Sequence, residues 1–432
     1  MFSRSLKYLI LLAGGLGVAT SAVELFQITR KNAVTPALTR APSLQQCAAD
    51  SAVLAWKTNI ATPGLVQYGF DQSYNHETGN FTKTTFHVLA LRRLQSDRVY
   101  NYRVVAGGQT LYAGAFRTYP QTGDSRYDHF SFWVLGDGGS GDRHQMAVRD
   151  QIQQVVNNGQ ADFGLYVGDI IYPKGAEADQ DEKYFVPYKS IIDKQTCWTA
   201  LGNHDQRAER GVAYYLNRAL PVPDTLADPL HGNRWYAFSF GAALFIALDS
   251  SEPANPIQKR FLRRILKNSR DKLWKFVFFH QPPYATPYLN ESPCSHASDM
   301  SARDNWSPLF EKYEVDVVFN GHNHTYQRSR LRRDYFPDKK GVYYFVSGGG
   351  GGQIDHHVEI KDSVCNHPPL TQAAVKSKTY HFVHVSIDGL TLSLRAIDET
   401  GQVFDTFTFT KSKPVPVADE DDKDEGAEPQ KN

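Results

Sequence analysis

Phe130-Ser131-Phe132-Trp133-Val134-Leu135-Gly136-Asp137-Gly138-Gly139 is an apolar run of strand length that stops on a glycine-flanked carboxylate. The same pattern recurs along the chain. Gly164 to Val167 runs into Gly168-Asp169-Ile170-Ile171-Tyr172, and Cys197 to Leu201 into Gly202-Asn203-His204-Asp205. Lys275 to Phe279 runs into His280, and Asp316 to Asn320 into Gly321-His322-Asn323-His324. In open α/β sheets ligands bind beyond the carboxyl ends of the strands, so five such tips can converge on one crevice.

The segments between the tips fit that architecture. Met146 to Val156 puts Val148, Ile152, Val155 and Val156 on one helical face and ends at Asn157-Asn158-Gly159, residues that favour a helix stop. Pro256 to Asn268 repeats the helical period with Ile257, Phe261, Leu262, Ile265 and Leu266. Trp235 to Phe240, Ala243 to Leu248, Val342 to Val346, Phe382 to Val385, Leu390 to Leu394 and Val403 to Phe409 read as strands. Strand, helix and strand in succession define an α/β region over residues 128–411. Ahead of it, residues 41–119 carry short alternating runs, among them Ala52 to Trp56, Gly64 to Phe70, Thr84 to Leu89, Val99 to Val105 and Leu111 to Phe116, the signature of an all-β sandwich. Tyr102 either takes the corner-tyrosine place of such sandwiches or simply packs.

The residue types at the five tips suit metal ions. Two cations held side by side repel each other and need a bridging anion, a role open to the Asp169 carboxylate with one oxygen for each. Asp137, Tyr172, Asn203, His280, His322 and His324 supply the mixed oxygen and nitrogen donors that complete such a pair. A phenol with an ordinary pKa of about 10 ionises near neutrality only beside a strong Lewis acid, so Tyr172 favours a trivalent ion such as Fe(III). Glycine precedes the key residue at Gly136, Gly168, Gly202 and Gly321, where a tight turn or a close approach needs a permissive backbone. On a continuing strand His322 and His324 would share a face and reach two neighbouring metals.

The ordered set GDxG, GDxxY, GNHD, VxxH and GHxH resembles the purple acid phosphatases of the metallophosphoesterase superfamily, over roughly residues 40–410. The resemblance implies Fe(III) on Asp137, Tyr172 and His324, a divalent ion (Zn, Fe or Mn) on Asn203, His280 and His322, and Asp169 bridging both. It also implies catalytic histidines at His204 and His296 that face the phosphate or protonate the leaving group. The expected fold is a sandwich of two mixed sheets flanked by helices, preceded by a fibronectin type III-like β-sandwich. The expected reaction is hydrolysis of a small phosphate monoester, an acid phosphatase of the purple type. A phosphodiesterase or nucleotide hydrolase on the same metal core is the alternative, and a non-catalytic surface binding protein the other.

The ends and the charge balance bound the rest. Residues 1–22 have the order of a secretory signal, with basic residues, an apolar stretch from Tyr8 to about Ala19 and then small residues. Gly14, Gly15, Gly17 and an ill-defined cleavage site leave an uncleaved anchor as the alternative, so the folded part is expected secreted, periplasmic or membrane-attached. Residues 412–432 are acidic, with too little apolar content to fold. With 47 Lys+Arg against 46 Asp+Glu the chain is no general nucleic-acid binder, and phosphate recognition must be local. Cys47, Cys197, Cys294 and Cys365 allow three pairings, with Cys294 to Cys365 favoured because both sit in proline-containing loops expected near the site. Gly348 to Gly352 lacks the Lys and Ser/Thr of a P-loop and reads as a close backbone approach or a flexible turn.

Overall fold

Strand-forming runs dominate the chain, and a computed structural model describes how they assemble for residues 34–124, 128–221, 234–286, 298–331, 341–354 and 373–412. The leader, the acidic tail, His296, Cys294 and Cys365 lie outside the described residues. Cys47 and Cys197 are free thiols, Cys47 buried.

The N-terminal region is all β: β1 (Leu38–Gln45), β2 (Ser51–Gly69), β3 (His76–Arg92), β4 (Val99–Ala106) and β5 (Gln109–Arg117). In β4 burial alternates, with Tyr100, Tyr102, Val104 and Ala106 turned inward, the period of two a half-buried strand requires. The two apolar runs Ala52 to Trp56 and Gly64 to Phe70 are halves of the single strand β2. Register shifts between Lys57 and Gly64 bend it, so β1 pairs its first half and β4 its second, while β3 follows both. The five strands are thereby one hydrogen-bonded sheet.

The remainder forms two mixed sheets. One has the order β18-β17-β16-β6-β7-β8, built from β6 (His129–Leu135), β7 (Phe163–Tyr166), β8 (Cys197–Thr199), β16 (His381–Asp388), β17 (Thr391–Asp398) and β18 (Val403–Thr410). The other has the order β15-β13-β14-β12-β11-β10-β9, from β9 (Tyr236–Phe240), β10 (Ala243–Ala247), β11 (Trp274–Phe278), β12 (Val317–Asn320), β13 (Tyr326–Leu331), β14 (Val342–Ser347) and β15 (Ala373–Ser377). Strands β6, β7 and β8 run parallel, as do β10, β11, β12 and β14; antiparallel strands close the edges. An aromatic seam joins the sheets: Phe132 meets Phe245 and Phe276 edge-on with centroids 5.3 and 5.4 Å apart, and Phe163 meets Phe245 at 5.1 Å.

Helix α1 (Arg143–Asn157) begins earlier than its apolar period suggested, because the Asp142 side chain accepts from the His144 and Gln145 amides. Helix α2 (Pro256–Lys267) is capped by Asn255, with proline in its first turn. Helix α3 (Met300–Lys312) was not anticipated; it carries Pro308 and only a weak apolar stripe, and Asp299 caps it through the Ala302 amide. No helix among the described residues is long and apolar enough to cross a membrane.

The N-terminal sheet is keyed to the rest by polar contacts. The buried Tyr102 hydroxyl donates to the Asp193 carbonyl at 2.9 Å and Tyr112 to the Asp193 carboxylate at 2.6 Å, so Tyr102 ties two regions together. Arg40, 3 % exposed, pairs with Asp181, donates to Asn217 Oδ1 at 2.6 Å and lies 3.7 Å over the Phe185 ring.

Candidate metal centre

Each tip follows the carboxyl end of a strand: Asp137 after β6, Asp169 after β7, Asn203 after β8, His280 after β11 and His322 after β12. Because β6, β7 and β8 are parallel in one sheet and β11 and β12 in the other, all five tips open at the same end of the molecule. The backbone turns sharply there. Asp137, Asp169 and His322 all have positive φ, at 59°, 52° and 71°, a conformation that costs roughly 1–3 kcal/mol each for side chains of this kind.

That cost is offset by bonds among the tips themselves. The Asp137 amide donates to the Gly168 carbonyl at 3.0 Å, the His322 amide to Asp137 Oδ2 at 2.8 Å and the His204 amide to Asp169 Oδ1 at 2.8 Å. Gly168, with φ at 95°, lies so close to the His280 ring that an added Cβ would sit 2.4 Å from Nδ1.

The side chains gather into two groups on either side of Asp169. In one, the Tyr172 hydroxyl is 3.0 Å from Asp137 Oδ1 and 2.8 Å from His324 Nε2, and His324 Nε2 is 3.4 Å from Asp137 Oδ1. In the other, Asn203 Oδ1 is 2.9 Å from His280 Nε2 and 3.1 Å from His322 Nδ1. Asp169 Oδ2 lies 3.3 Å from His280 Nε2. The donor atoms of Asp137, Asp169 and His280 all fall within 4.8 Å of one another, and all three residues are buried.

The imidazoles are oriented by the nitrogen that faces away. His280 Nδ1 donates to the Val167 carbonyl at 2.9 Å and His324 Nδ1 to the Gln353 carbonyl at 2.6 Å, which leaves Nε2 as the lone-pair atom pointing inward. Carboxylates, an amide oxygen and ring lone pairs thus face one another, a set of acceptors that only a cation or added protons can satisfy. Burial opposes charge on His280, yet the carboxylates of Asp169 and Asp137 outweigh it and lift the imidazole to about 9. Burial, with Asp137 and Asp169 adding to it, holds the Tyr172 phenol well above the usual tyrosine range, so a cation must supply what the phenolate needs. The donor set fits the paired metals.

His204 stands at the edge of this cluster. Its Nδ1 donates to the Pro173 carbonyl at 2.8 Å, its ring packs edge-on against Tyr172 with centroids 4.5 Å apart, and Nε2 faces Asp169 Oδ2 at 3.9 Å. Its pKa is lowered, by burial first, against the pull of Asp169. His322 and His324 do not continue a strand: the chain bends through residues 322–325 before β13, with the Asn323 amide on the Gly321 carbonyl at 2.9 Å, so the turn rather than a pleat aims the two rings.

Two features escaped the sequence reading, and a third decides between two alternatives that it left open. Asp205, 1 % exposed, accepts from the amides of Ile170, Ile171 and Gly202, each at 3.0 Å, and so straps the Asp169 loop to the Asn203 loop. Nothing but its place inside the GNHD segment marked it. The Gly348 to Gly352 run is a close backbone approach: the Gly350 amide donates to the Gly136 carbonyl at 3.0 Å, the Gly352 amide to the Asp137 carbonyl at 2.6 Å, and a Cβ on Gly352 would lie 2.8 Å from the His324 ring. Buried His381 holds that run from behind, its amide on the Gly349 carbonyl at 2.8 Å and its ring on Ser347 Oγ and the Thr379 carbonyl; no local motif announces it.

Residues 130–326 match the calcineurin-like phosphoesterase family, and the chain carries that domain. Among relatives, a phosphoenolpyruvate phosphatase of Allium cepa is 28 % identical over 340 residues, covering 70 % of this chain and 67 % of the relative. Purple acid phosphatase 1 of Ipomoea batatas is 26 % identical over 266 residues, 58 % of this chain and 53 % of its own length. The solved structure of purple acid phosphatase PPD1 from yellow lupin (Lupinus luteus) seeds superposes with a TM-score of 0.72 at 19 % identity, covering 86 % of this chain and 74 % of that one. The chain therefore carries a calcineurin-like phosphoesterase domain over residues 130–326 and shares its fold with a purple acid phosphatase, a fold that implies a dinuclear metal centre.

Proposed function

We propose that the protein hydrolyses phosphate monoesters with an Fe(III) held by Asp137, Tyr172 and His324 and a divalent ion (Zn, Fe or Mn) held by Asn203, His280 and His322, bridged by Asp169. The observation that carries this reading is the division of seven side chains into two triads flanking one buried carboxylate. When bound, the paired ions supply Lewis acidity and an acidified water. The chain's own residues supply the rest. The loop bonds among the tips fix the donors before substrate arrives, and the Asp205 strap holds the Asp169 and Asn203 loops in register.

His204 is the residue we assign to the leaving group. With Nδ1–H committed to the Pro173 carbonyl, a proton on Nε2 exists only in the imidazolium, and it can be passed to the leaving oxygen. Burial lowers its pKa, which makes that proton easier to give and confines the charged form to acid pH. His296 is assigned beside it on the resemblance alone, since it lies outside the described residues.

We divide the chain into a leader (1–22) directing export or anchoring, a fibronectin type III-like region (41–119), the catalytic domain (128–411) and an acidic tail (412–432). The names of the Allium cepa and Ipomoea batatas relatives support a phosphatase. Metal analysis together with a visible spectrum and turnover of a monoester against a bis-ester tests the reading. A tyrosinate-to-iron band, two metals per chain and monoester preference are expected. Bis-ester preference would replace it with a phosphodiesterase, and absence of both band and turnover after metal loading with a binding protein.

A further inference from the structure

With a formal net charge of +1 the chain is nearly neutral, yet its charge is segregated. Helix α2 buries Phe261, Leu262 and Leu266 in the core. Arg260, Arg263, Arg264 and Lys267 stand at i, i+3, i+4 and i+7, so they form one stripe on the opposite, exposed face. Arg270 and Lys272 carry the same sign on toward β11, and Asp271 is the one acid between Lys259 and Lys272.

Arg260, Arg263 and Arg264 take part in no ion pair or side-chain hydrogen bond among the described residues. Like charges spaced three and four apart repel and weaken the helix that carries them. The neighbours do not relieve this. Glu252 is paired with Arg234 at 3.2 Å. Helix α3, tied to α2 by the Lys259 bond to Asn305 Oδ1 at 3.2 Å, sets Arg303 and Lys312 against Asp304 and Glu311 and brings no net charge.

The opposite charge lies in the same chain: Asp419 to Glu425 holds six carboxylates and one ammonium. The segment leading to it leaves the fold beside the basic one. Just past β18, the Lys411 ammonium donates to both Asp316 carboxylate oxygens at 2.8 and 2.9 Å and to the Leu273 carbonyl, and it lies 4.6 Å over the Trp274 ring. Leu273 directly follows Lys272. The residues from Lys411 to Asp419 span about 26 Å when extended, and the 12 residues of α2 are about 18 Å long, so the acids can reach the stripe.

We propose that the run Asp419 to Glu425 docks in cis on the stripe of Arg260, Arg263, Arg264 and Lys267 and covers a face that otherwise takes polyanions. A single exposed ion pair contributes little, so the contact depends on several charges acting together and on the short tether that keeps them at high effective concentration. Because β10 and β11 are parallel, α2 returns the chain to the amino end of the sheet, away from the strand tips. The contact is therefore independent of the metal centre and of the activity proposed for it.

The test uses the full chain. One variant removes the tail charge (Asp419→Asn, Glu420→Gln, Asp421→Asn, Asp422→Asn, Asp424→Asn and Glu425→Gln) and one the stripe charge (Arg260→Gln, Arg263→Gln and Arg264→Gln). A third takes the same charge as the second from exposed arginines of the N-terminal region (Arg92→Gln, Arg93→Gln and Arg98→Gln). Zero-length carbodiimide cross-linking with peptide mapping should join tail carboxylates to Lys259, Lys267 or Lys272 in the wild type. The yield should fall about tenfold in the stripe variant, where those lysines remain, and at about 0.5 M salt, but not in the N-terminal variant. On immobilised heparin the tail variant should elute at higher salt than the wild type, and adding the stripe substitutions should abolish the gain. Absent links, links spread equally to Lys83, or equal heparin retention of wild type and tail variant overturn the proposal. Links lost on dilution give the face to a second copy, and equally tight binding of wild type and tail variant to phosphatidylglycerol vesicles gives it to a lipid surface; either result overturns docking in cis. Turnover is expected unchanged in the tail and stripe variants, so failure here leaves the hydrolase reading standing.

Discussion

At the seam between the N-terminal sheet and the catalytic sheets, a buried charge meets its opposite; at the strand tips, like groups are pressed together. Arg40 finds Asp181, and burial that lowers its pKa is opposed by that carboxylate. In the crevice two carboxylates, a phenol and an amide oxygen share a space with imidazoles. The first arrangement is complete as folded. The second is costly until something positive arrives, and it also concentrates the left-handed backbone of Asp137, Asp169 and His322. Paired charge marks architecture, and unpaired convergence marks a binding site.

The sharpest way to break this contrast is at its centre. Asp169→Asn keeps the side-chain shape and an oxygen for the His204 amide but removes the charge that lies between the two triads. Turnover should fall by roughly a thousandfold or more, with metal content per chain reduced in elemental analysis. Full metal occupancy and full activity in this variant would leave the tips as a structural cluster only.

His381 offers an intermediate case, a buried ring held by hydrogen bonds to Ser347 and the Thr379 carbonyl and touched by the charge of Asp137 only from a distance. Burial pushes its pKa down to about 4. An unfolded histidine protonates near 6.5, so between about 6.5 and 4 the unfolded chain binds the proton and the folded one does not. The stability is fully present above pH 6.5 and declines as pH falls toward 4, by roughly 3 kcal/mol for this one group. Denaturant unfolding of wild type and His381→Asn at pH 7.0 and 4.5 should show the steeper acid loss in the wild type; equal losses would mean that the ring is already charged in the fold.

The tips were legible because each is a short motif placed at a strand end, and strand ends follow from local apolar runs. Fold class followed from the same runs, since β6, β7, β8, β11 and β12 are nearly continuous apolar segments. What stayed hidden depends on contacts between distant segments. The bend in β2 comes from register shifts against its neighbours, the strap at Asp205 from amides 34 and 35 residues away, and the grip of His381 from a glycine run that follows β14 of the other sheet. The turn that aims His322 and His324 also depends on a distant partner, the Asp137 carboxylate that receives the His322 amide.

Asp205 tests whether the crevice is held from outside the ligand set. Asp205→Asn replaces one accepting oxygen with a donor that faces backbone N–H groups, so about 2 kcal/mol of stability should be lost along with part of the turnover. Because Ile170 and Ile171 lie between Asp169 and Tyr172, a shift of the tyrosinate band should accompany the loss. A band unchanged in position and intensity would confine Asp205 to folding.

The smallest effect is expected at the seam. Arg40→Met keeps an apolar chain of similar length and removes the guanidinium that lies over Phe185, while the Asp181 side chain, 40 % exposed, can return to water. The penalty should therefore stay near 1–2 kcal/mol in chemical denaturation, well below that of stranding a fully buried charge. Turnover is the more informative reading. Asp181 lies two residues before Lys183, whose ammonium donates to the Tyr172 carbonyl at 2.6 Å, and the Gln145 amide holds the Lys183 carbonyl at 2.5 Å. If Lys183 is positioned by those local bonds, the Arg40→Met protein keeps its kcat within about threefold. A tenfold loss at nearly unchanged stability would mean that the N-terminal sheet sets the crevice through this segment, and the separation between architecture and site would fail at that point.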